Sequence, residues 1–319
     1  MNFIEKKREL EAILHRDVVP LIDNDYVLYG LPYYNNVGDT LIWEGERELL
    51  KKVPHKCVGV CGWDKYPEKK LPDNVIILIT GGGFFGDVWR EAWANVLQAI
   101  KPNREHKIII MPCSVFYENP EIRDRDSAYL AEFPNLTILA RDKVSYEYAK
   151  EYFKNEVKLV PDMAFCMPEK EILKYARQKA PKDVLLFMRA DKELVSGNIH
   201  IPEPAYDTHD WLPMQDEAIE RPFYRLRNRG RQVLSFSKSL QARYTEWLYG
   251  AMYRRIMTTS GLKQLSAYKK IYTTRLHAMI LGGMLGREVY FIDNTYRKLS
   301  SYYDTWLNDC DTIHPLESK

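Results

Sequence analysis

A chain of 319 residues, 45% hydrophobic and 28% charged, can bury a substantial core and is expected to fold as about two globular domains, which excludes a disordered or fibrous protein. A formal net charge of +2 lacks the overall basic footprint of a protein that binds a nucleic-acid backbone, so no nucleic-acid partner is expected. The five cysteines are read as reduced thiols, the charged N-terminal segment lacks the apolar core of a secretory signal, and no apolar run reaches about 18 residues; the expectation is a cytoplasmic protein that does not span a membrane.

Phe3, Leu10, Ile13 and Leu14 fall on one side of an otherwise charged stretch and predict an amphipathic helix over 3–16. Short apolar runs follow at 26–31, 56–62, 75–80, 107–112, 136–140 and 157–160, each leading into a loop or a helical pattern, as in a parallel sheet with crossover helices. Cys57 and Cys61 alternate with Val58 and Val60 as strand residues do, and no second Cys/His pair follows at zinc spacing, so no metal site is expected. A second set of strands is expected at 184–188, 197–201, 232–237, 270–273 and 288–292, with helices near 238–257 and 276–285. The expected fold is therefore α/β with two Rossmann-like lobes, residues 1–170 and 171–319, divided near 168–181, the last helix being able to return to the first lobe. Residues 216–231, with Arg221, Arg225, Arg227, Arg229 and Arg231, read as a polar, solvated connector.

Doubly wound lobes hold ligands at the carboxyl ends of their strands, and chemically capable residues stand where the apolar runs stop. The first run leads to Asn36-Val37-Gly38-Asp39, where Gly38 permits a tight turn and Asp39 stands near a helix start, as a cap or as a functional carboxylate. The third runs into Gly81-Gly82-Gly83, whose backbone amides can approach a ligand closely, although the Lys-Ser/Thr of a phosphate-binding loop is missing. Arg141 follows the run at 136–140 and suits a carboxylate or phosphate. Asp162 ends the run at 157–160, either functional or part of a Pro-Asp turn. Arg189 and Asp191 follow the run at 184–188 and read equally as a surface ion pair. Arg275-Leu276-His277 opens an almost wholly apolar helix, placing an arginine beside unpaired amides as in an anion site, with His277 as an acid/base candidate. Lys298 follows the run at 288–292 and is a candidate to close that site.

Taken in order, Asn36-Val37-Gly38-Asp39, the Gly81–Gly83 triplet, Arg141 with Ser145, Pro161-Asp162, Arg275-Leu276-His277 and Tyr296 with Lys298 resemble the polysaccharide pyruvyltransferase family. The resemblance implies a GT-B-like arrangement of the two lobes and phosphoenolpyruvate as donor substrate, with Arg141, Arg275, Leu276, Arg189 and Lys298 around it. His277 is then the expected general acid, Asp39 or Asp162 orients or deprotonates an acceptor hydroxyl, and Asn36, Gly38, Gly81, Gly82 and Gly83 form substrate loops. It further implies a 4,6-diol of a hexose such as galactose as acceptor, on a lipid-linked intermediate of capsular or exopolysaccharide assembly, and no cofactor. The chain departs from the family's pattern between about 208 and 257, where the arginines and neighbouring aromatics are candidates to meet an anionic membrane face or a lipid diphosphate. Alternative readings are a GT-B glycosyltransferase using a nucleotide sugar and a non-catalytic sugar-binding assembly factor. An NAD-dependent oxidoreductase is disfavoured, because no Gly-x-Gly-x-x-Gly opens a strand–helix turn.

Overall fold

The computed structural model describes residues 1–67, 70–191, 199, 201–211, 217–293 and 297–316, with the backbone alone at 217–220. After helix α1 (Phe3–Asp17), the first sheet is built from β1 (Tyr26–Leu31), β2 (Cys57–Gly62), β3 (Ile76–Ile79), β4 (Gly82–Gly86), β5 (Ile108–Phe116), β6 (Leu136–Ala140) and β7 (Glu156–Leu159). Its order is β2-β1-β3-β5-β6-β7 with β4 against β5, all in parallel. Parallel neighbours require crossovers, supplied by α2 (Val37–Leu50), α3 (Arg90–Ile100), α4 (Pro120–Leu130) and α5 (Lys143–Tyr152). The apolar runs are continuous because both faces are covered. Val27, Tyr29, Ile77, Ile79, Ile108 and Ile110 enter one core, and their neighbours Leu28, Leu78 and Ile109 enter another.

Helix α6 (Glu169–Ala176) leads to the second sheet, made of β8 (Lys182–Phe187), β9 (Asp207–His209), β10 (Tyr268–Thr273), β11 (Glu288–Phe291) and β12 (Ile313–Pro315) in the order β12-β11-β10-β8-β9, again all parallel. Between β9 and β10 the chain forms α7 (Glu217–Val233), α8 (Lys238–Leu248), a π-helical turn at Tyr249–Tyr253, and α9 (Arg254–Ser266). Helix α10 (Leu276–Met284) joins β10 to β11, and α11 (Lys298–Tyr302) continues into a π-helical turn at Tyr303–Leu307. Two parallel sheets flanked by helices form the two-lobed, Rossmann-like and GT-B-like arrangement expected from the sequence. One apolar core joins them: Leu28 and Leu78 of the first sheet share it with Phe187 and Ile271 of the second.

Several expectations need correction. The connector expected at 216–231 is helical over its described residues, 217–231, as part of α7. Arginine is a good helix former, and Phe223 provides a buried anchor packed 5.0 Å from the Tyr249 ring and 5.2 Å from that of Tyr253. The strand expected at 232–237 is instead the end of α7 and a turn in which the Ser237 side chain accepts from the Leu240 amide and caps α8. Most of the strand expected at 197–201 lies outside the described residues, and Ile199 and Ile201 are not in a strand. The Gly81–Gly83 stretch is not a bare loop, since Gly82 opens strand β4. Strands β9 and β12 went unread because each has three residues, too few to show a period.

Candidate active site at the junction of the two sheets

The carboxyl ends of β1, β6, β7, β8 and β10 converge on an open cleft of about 890 Å³ between the sheets. Tyr34, Asn36 and Asp39 line it after β1, Arg141 after β6, Arg189 after β8, and Arg275, Leu276 and His277 after β10. Gly83 and Lys298 complete the polar wall. Asp162, after β7, is fully buried behind it.

Asp162 links the two lobes. Its Oδ2 accepts from Arg141 Nη1 at 2.8 Å and lies 3.3 Å from His277 Nε2, while its Oδ1 accepts the Ala164 amide at 2.9 Å. Burial by itself would raise the pKa of this carboxyl, but the adjoining His277 and Arg141 outweigh that effect and hold it well below the usual range. Arg141 is also buried, with Nε on Ser114 Oγ at 2.9 Å, and its backbone carbonyl accepts from Trp306 Nε1 at 2.8 Å. Burial disfavours its charge, yet Asp162 and Asp142 more than compensate and raise its pKa. With both Asp162 oxygens occupied, this carboxylate reaches the cleft only through its two partners.

At the start of α2 it is Asn36, not Asp39, that caps the helix, its Oδ1 accepting from the Gly38 amide at 2.9 Å. Asp39 stands in the first turn, where Oδ2 accepts from Asn36 Nδ2 at 2.7 Å and from the Tyr34 hydroxyl at 2.8 Å. Gly38 faces the second lobe: a Cβ added there would lie 2.6 Å from His277 Nδ1. The missing side chain lets α2 and α10 approach, with that ring nitrogen against the glycine.

The second lobe holds its arginines with carboxylates. Arg275 Nη2 donates to Asp210 Oδ2 at 2.6 Å, Nε donates to Asp210 Oδ1, and Nη2 also lies 3.3 Å from Asp191. Arg189 makes a two-pronged pair with Asp191 at 2.8 and 2.9 Å. The Arg189–Asp191 pair is therefore a cleft-side structure rather than a solvated surface contact. Asp210 itself accepts the Ala190 amide at 3.0 Å and the Trp211 amide at 2.7 Å, so the carboxylate that orients Arg275 is fixed by backbone.

The glycine triplet divides its tasks. The Gly81 amide is not offered to a ligand: it donates to Glu46 Oε1 at 2.8 Å, while Thr80 Oγ1 donates to Oε2 at 2.6 Å. Gly82 adopts φ +138, open to glycine alone in practice, and packs near Asp39 Oδ1. Only Gly83 lines the cleft, where an added Cβ would lie 2.7 Å from Lys298 Nζ. Lys298 is held by α11, whose first amides, those of Leu299 and Ser300, donate to Asp293 at 3.1 Å each. The preceding Arg297 has φ 51, a left-handed conformation costing a non-glycine residue about 1–3 kcal/mol. Tyr296, part of the motif read from the sequence, lies outside the described residues.

Glu46, Asp210 and the cleft aromatics Trp63, Trp89 and Trp211 escaped sequence reasoning. Glu46 is fully buried on α2, and burial pushes its pKa up to about 7 against the opposing hydrogen bonds from Thr80 and Gly81. Only its position two turns after Asp39 on an otherwise apolar helix face marked it. Asp210 follows β9, a strand too polar and short to be recognised.

The arrangement offers converging cations, a buried carboxylate–histidine pair, and a second carboxylate on the opposite lip, which suits an anionic substrate and proton transfer. Residues 36–296 match the profile of the family described as polysaccharide pyruvyl transferase. The chain is 29% identical over 309 residues to "Putative pyruvyl transferase EpsO" of Bacillus subtilis (strain 168), covering 96% of this chain and 92% of that protein. It is 28% identical to "Pyruvyl transferase 1" of Schizosaccharomyces pombe (strain 972 / ATCC 24843), covering 89% and 70%. In fold it resembles the crystal structure of a functionally uncharacterized Klebsiella pneumoniae protein, with a TM-score of 0.64 at 18% identity and coverage of 97% and 99%.

Proposed function

The chain belongs to the polysaccharide pyruvyl transferase family, and from that premise we propose that it moves the carbon skeleton of phosphoenolpyruvate onto two hydroxyls of a hexose, as the 4,6-ketal of a galactose on a lipid-linked intermediate of capsular or exopolysaccharide synthesis. The observation that carries this reading is the chain Arg141–Asp162–His277 across the two lobes, set in a cleft that Arg275, Arg189 and Lys298 also line.

The donor bears a carboxylate and a phosphate, and Arg141, Arg189, Arg275 and Lys298 supply cations for both. Asp162 contacts and fixes the His277 ring, so it is a positioning residue and not the acceptor's base. With Nε2 directed at Asp162, the proton leaves through Nδ1, the ring nitrogen that faces Gly38. Protonation of the methylene carbon makes the adjacent carbon electrophilic. The first sugar hydroxyl adds there and gives up its proton to Asp39, whose Oδ2 is already steadied by Tyr34 and Asn36. The second hydroxyl then displaces phosphate and closes the ketal; of the two hydroxyl protons, one restores His277 and the other leaves with the departing phosphate, so that Asp39 ends deprotonated.

The test is phosphate release from phosphoenolpyruvate in the presence of lipid-linked and aryl galactosides, with mass spectrometry of the sugar and His277→Ala alongside. The expected result is an acceptor heavier by about 70 Da, with the gain abolished in the variant. Transfer from a nucleotide sugar, with no phosphate release from phosphoenolpyruvate, would overturn the donor assignment.

A further inference from the structure

The helical hairpin α7–α8 carries the largest concentration of exposed apolar side chains in the described chain. Leu226 and Val233 lie seven residues apart on α7, and Leu240 and Trp247 lie seven apart on α8, so each pair shares one helix face. Phe236 occupies the turn between them. Their exposures are 45% and 64% for the α7 pair, 40% and 63% for the α8 pair, and 76% for Phe236, which together form an exposed apolar patch.

The same segment is where the positive charge resides. Residues 221–255 contain nine arginines and lysines against one glutamate, in a chain of net charge +2, so the remainder is net acidic. Arg221, Arg225 and Arg229 follow one another at helical i, i+4 spacing, and all three side chains are exposed, as are those of Arg231, Lys238 and Arg243. The hairpin itself is well built. Tyr244 fills the space left by Gly230 and donates to the Leu226 carbonyl at 3.0 Å, and Gln241 donates to the Arg231 carbonyl at 2.6 Å. Its exposed apolar residues are thus held on a formed scaffold.

An amphipathic, arginine-rich helix pair with aromatic and aliphatic residues at its tip has the composition of an interfacial membrane element. A second copy of the chain is a poorer occupant, because a symmetric contact would press two strongly positive faces together. We infer that the α7–α8 hairpin docks this protein on an anionic phospholipid surface, with Phe236 and Trp247 entering the headgroup region and the arginines engaging lipid phosphates.

The docking has a geometric consequence for the cleft. Tyr249, at the end of α8, stacks on Tyr33 with ring centroids 4.2 Å apart, and the next residue, Tyr34, lines the cleft and holds Asp39. A hairpin bound to a membrane brings the acceptor side of the cleft to the lipid surface, where a lipid-carried sugar would be presented. The docking does not depend on pyruvyl transfer, so it can be tested without any turnover.

The experiment is co-sedimentation of the full chain with vesicles of phosphatidylcholine alone or with about a third phosphatidylglycerol, at low salt and at about 0.5 M salt. Binding to the anionic vesicles only, lost at high salt, is expected. The triple variant R225Q/R229Q/R231Q should bind about a hundredfold more weakly, at about one kcal/mol per basic residue near the surface. The double variant F236S/W247S should lose about tenfold or more through its apolar contacts. Both variants should keep the parent melting temperature, since these side chains are exposed. Equal binding to neutral vesicles, no binding to either kind, or undiminished binding by the two variants would each overturn the proposal. So would a homodimer in sedimentation velocity that F236S/W247S dissolves.

Discussion

Glu46 provides the sharpest test of the electrostatics of this site. Its carboxyl is fully buried, and its pKa stands at about 7 against an ordinary value of 4.5. In the neutral form one oxygen accepts the Gly81 amide and the other can donate to Thr80 Oγ1; glutamine reproduces that pattern, with its oxygen toward Gly81 and its amide nitrogen toward Thr80. Glu46→Gln should therefore act as a permanently protonated glutamate. The sign follows from linkage. A carboxyl whose folded pKa is raised stabilises the fold, relative to its ionised state, fully below its unfolded value, and this contribution disappears as pH rises through the folded value. Wild type and variant should then be about equally stable near pH 4.5. Across the interval up to about pH 7, wild type should lose about 1.4 kcal/mol per pH unit relative to the variant, reaching about 3 kcal/mol. At about 2.1 cal/mol/K per residue, a chain of this length converts that into a melting-temperature advantage for the variant of about 5 °C at pH 8. Thermal melts of both proteins across this range provide the assay. A difference that stays flat with pH, or a variant that is less stable at pH 8, would refute the reasoning.

Gly38→Ala places a methyl group 2.6 Å from His277 Nδ1; although alanine favours a helix, kcat should fall about tenfold to a hundredfold because the ring must move, as steady-state kinetics on phosphate release would show. Asp162→Asn breaks a buried pair with Arg141 and should cost about 3–5 kcal/mol in denaturant unfolding. It should also lower kcat about tenfold or more in assays of phosphate release, because the His277 ring loses the carboxylate that fixes it. The stabilisation that Asp162 provides has the opposite pH sign to that of Glu46: with a depressed folded pKa it is present above the ordinary carboxylate range and is lost as pH falls through the folded value. Asp210→Asn removes the charge that orients Arg275 and should raise the KM for phosphoenolpyruvate more than it lowers kcat, measured by varying the donor at saturating acceptor.

The strand tips were legible because parallel strands buried on both faces produce continuous apolar runs, and the residue after each run must lie at one edge of the sheet. That logic brought Asp39, Arg141, Arg189, Arg275 and His277 into one cleft. It did not extend to partners whose role depends on tertiary contact. Asp210 matters because it meets Arg275, 65 residues away, and nothing near either position announces the other. Glu46 looks like an ordinary helix glutamate until β3 and the glycine triplet are laid across it. Helix α7 was misread for a different reason: its arginines read as a solvated charge run, and its buried anchor is one phenylalanine inserted beneath Tyr249 and Tyr253.

The division of the site between the lobes constrains how it can work. His277 belongs to the second sheet, whereas Asp162, Arg141 and Asp39 belong to the first, so the His277–Asp162 contact exists only while the lobes keep their relative position. The chain secures that position with segments that cross over. Phe3 of α1 packs on Gly283 of α10 and stacks on Phe165, 6.1 Å away and three residues after Asp162 in the chain. From the other terminus, Ser301 Oγ donates to Asp142 at 2.8 Å, and the Tyr302 hydroxyl accepts the Asp162 amide at 3.0 Å. Asp162 is thus gripped by its side chain from α10 and by its backbone from α11. Proton transfer at His277 and cation placement at Arg141 are consequently coupled through one buried carboxylate, and a displacement of either terminal helix disturbs both functions together.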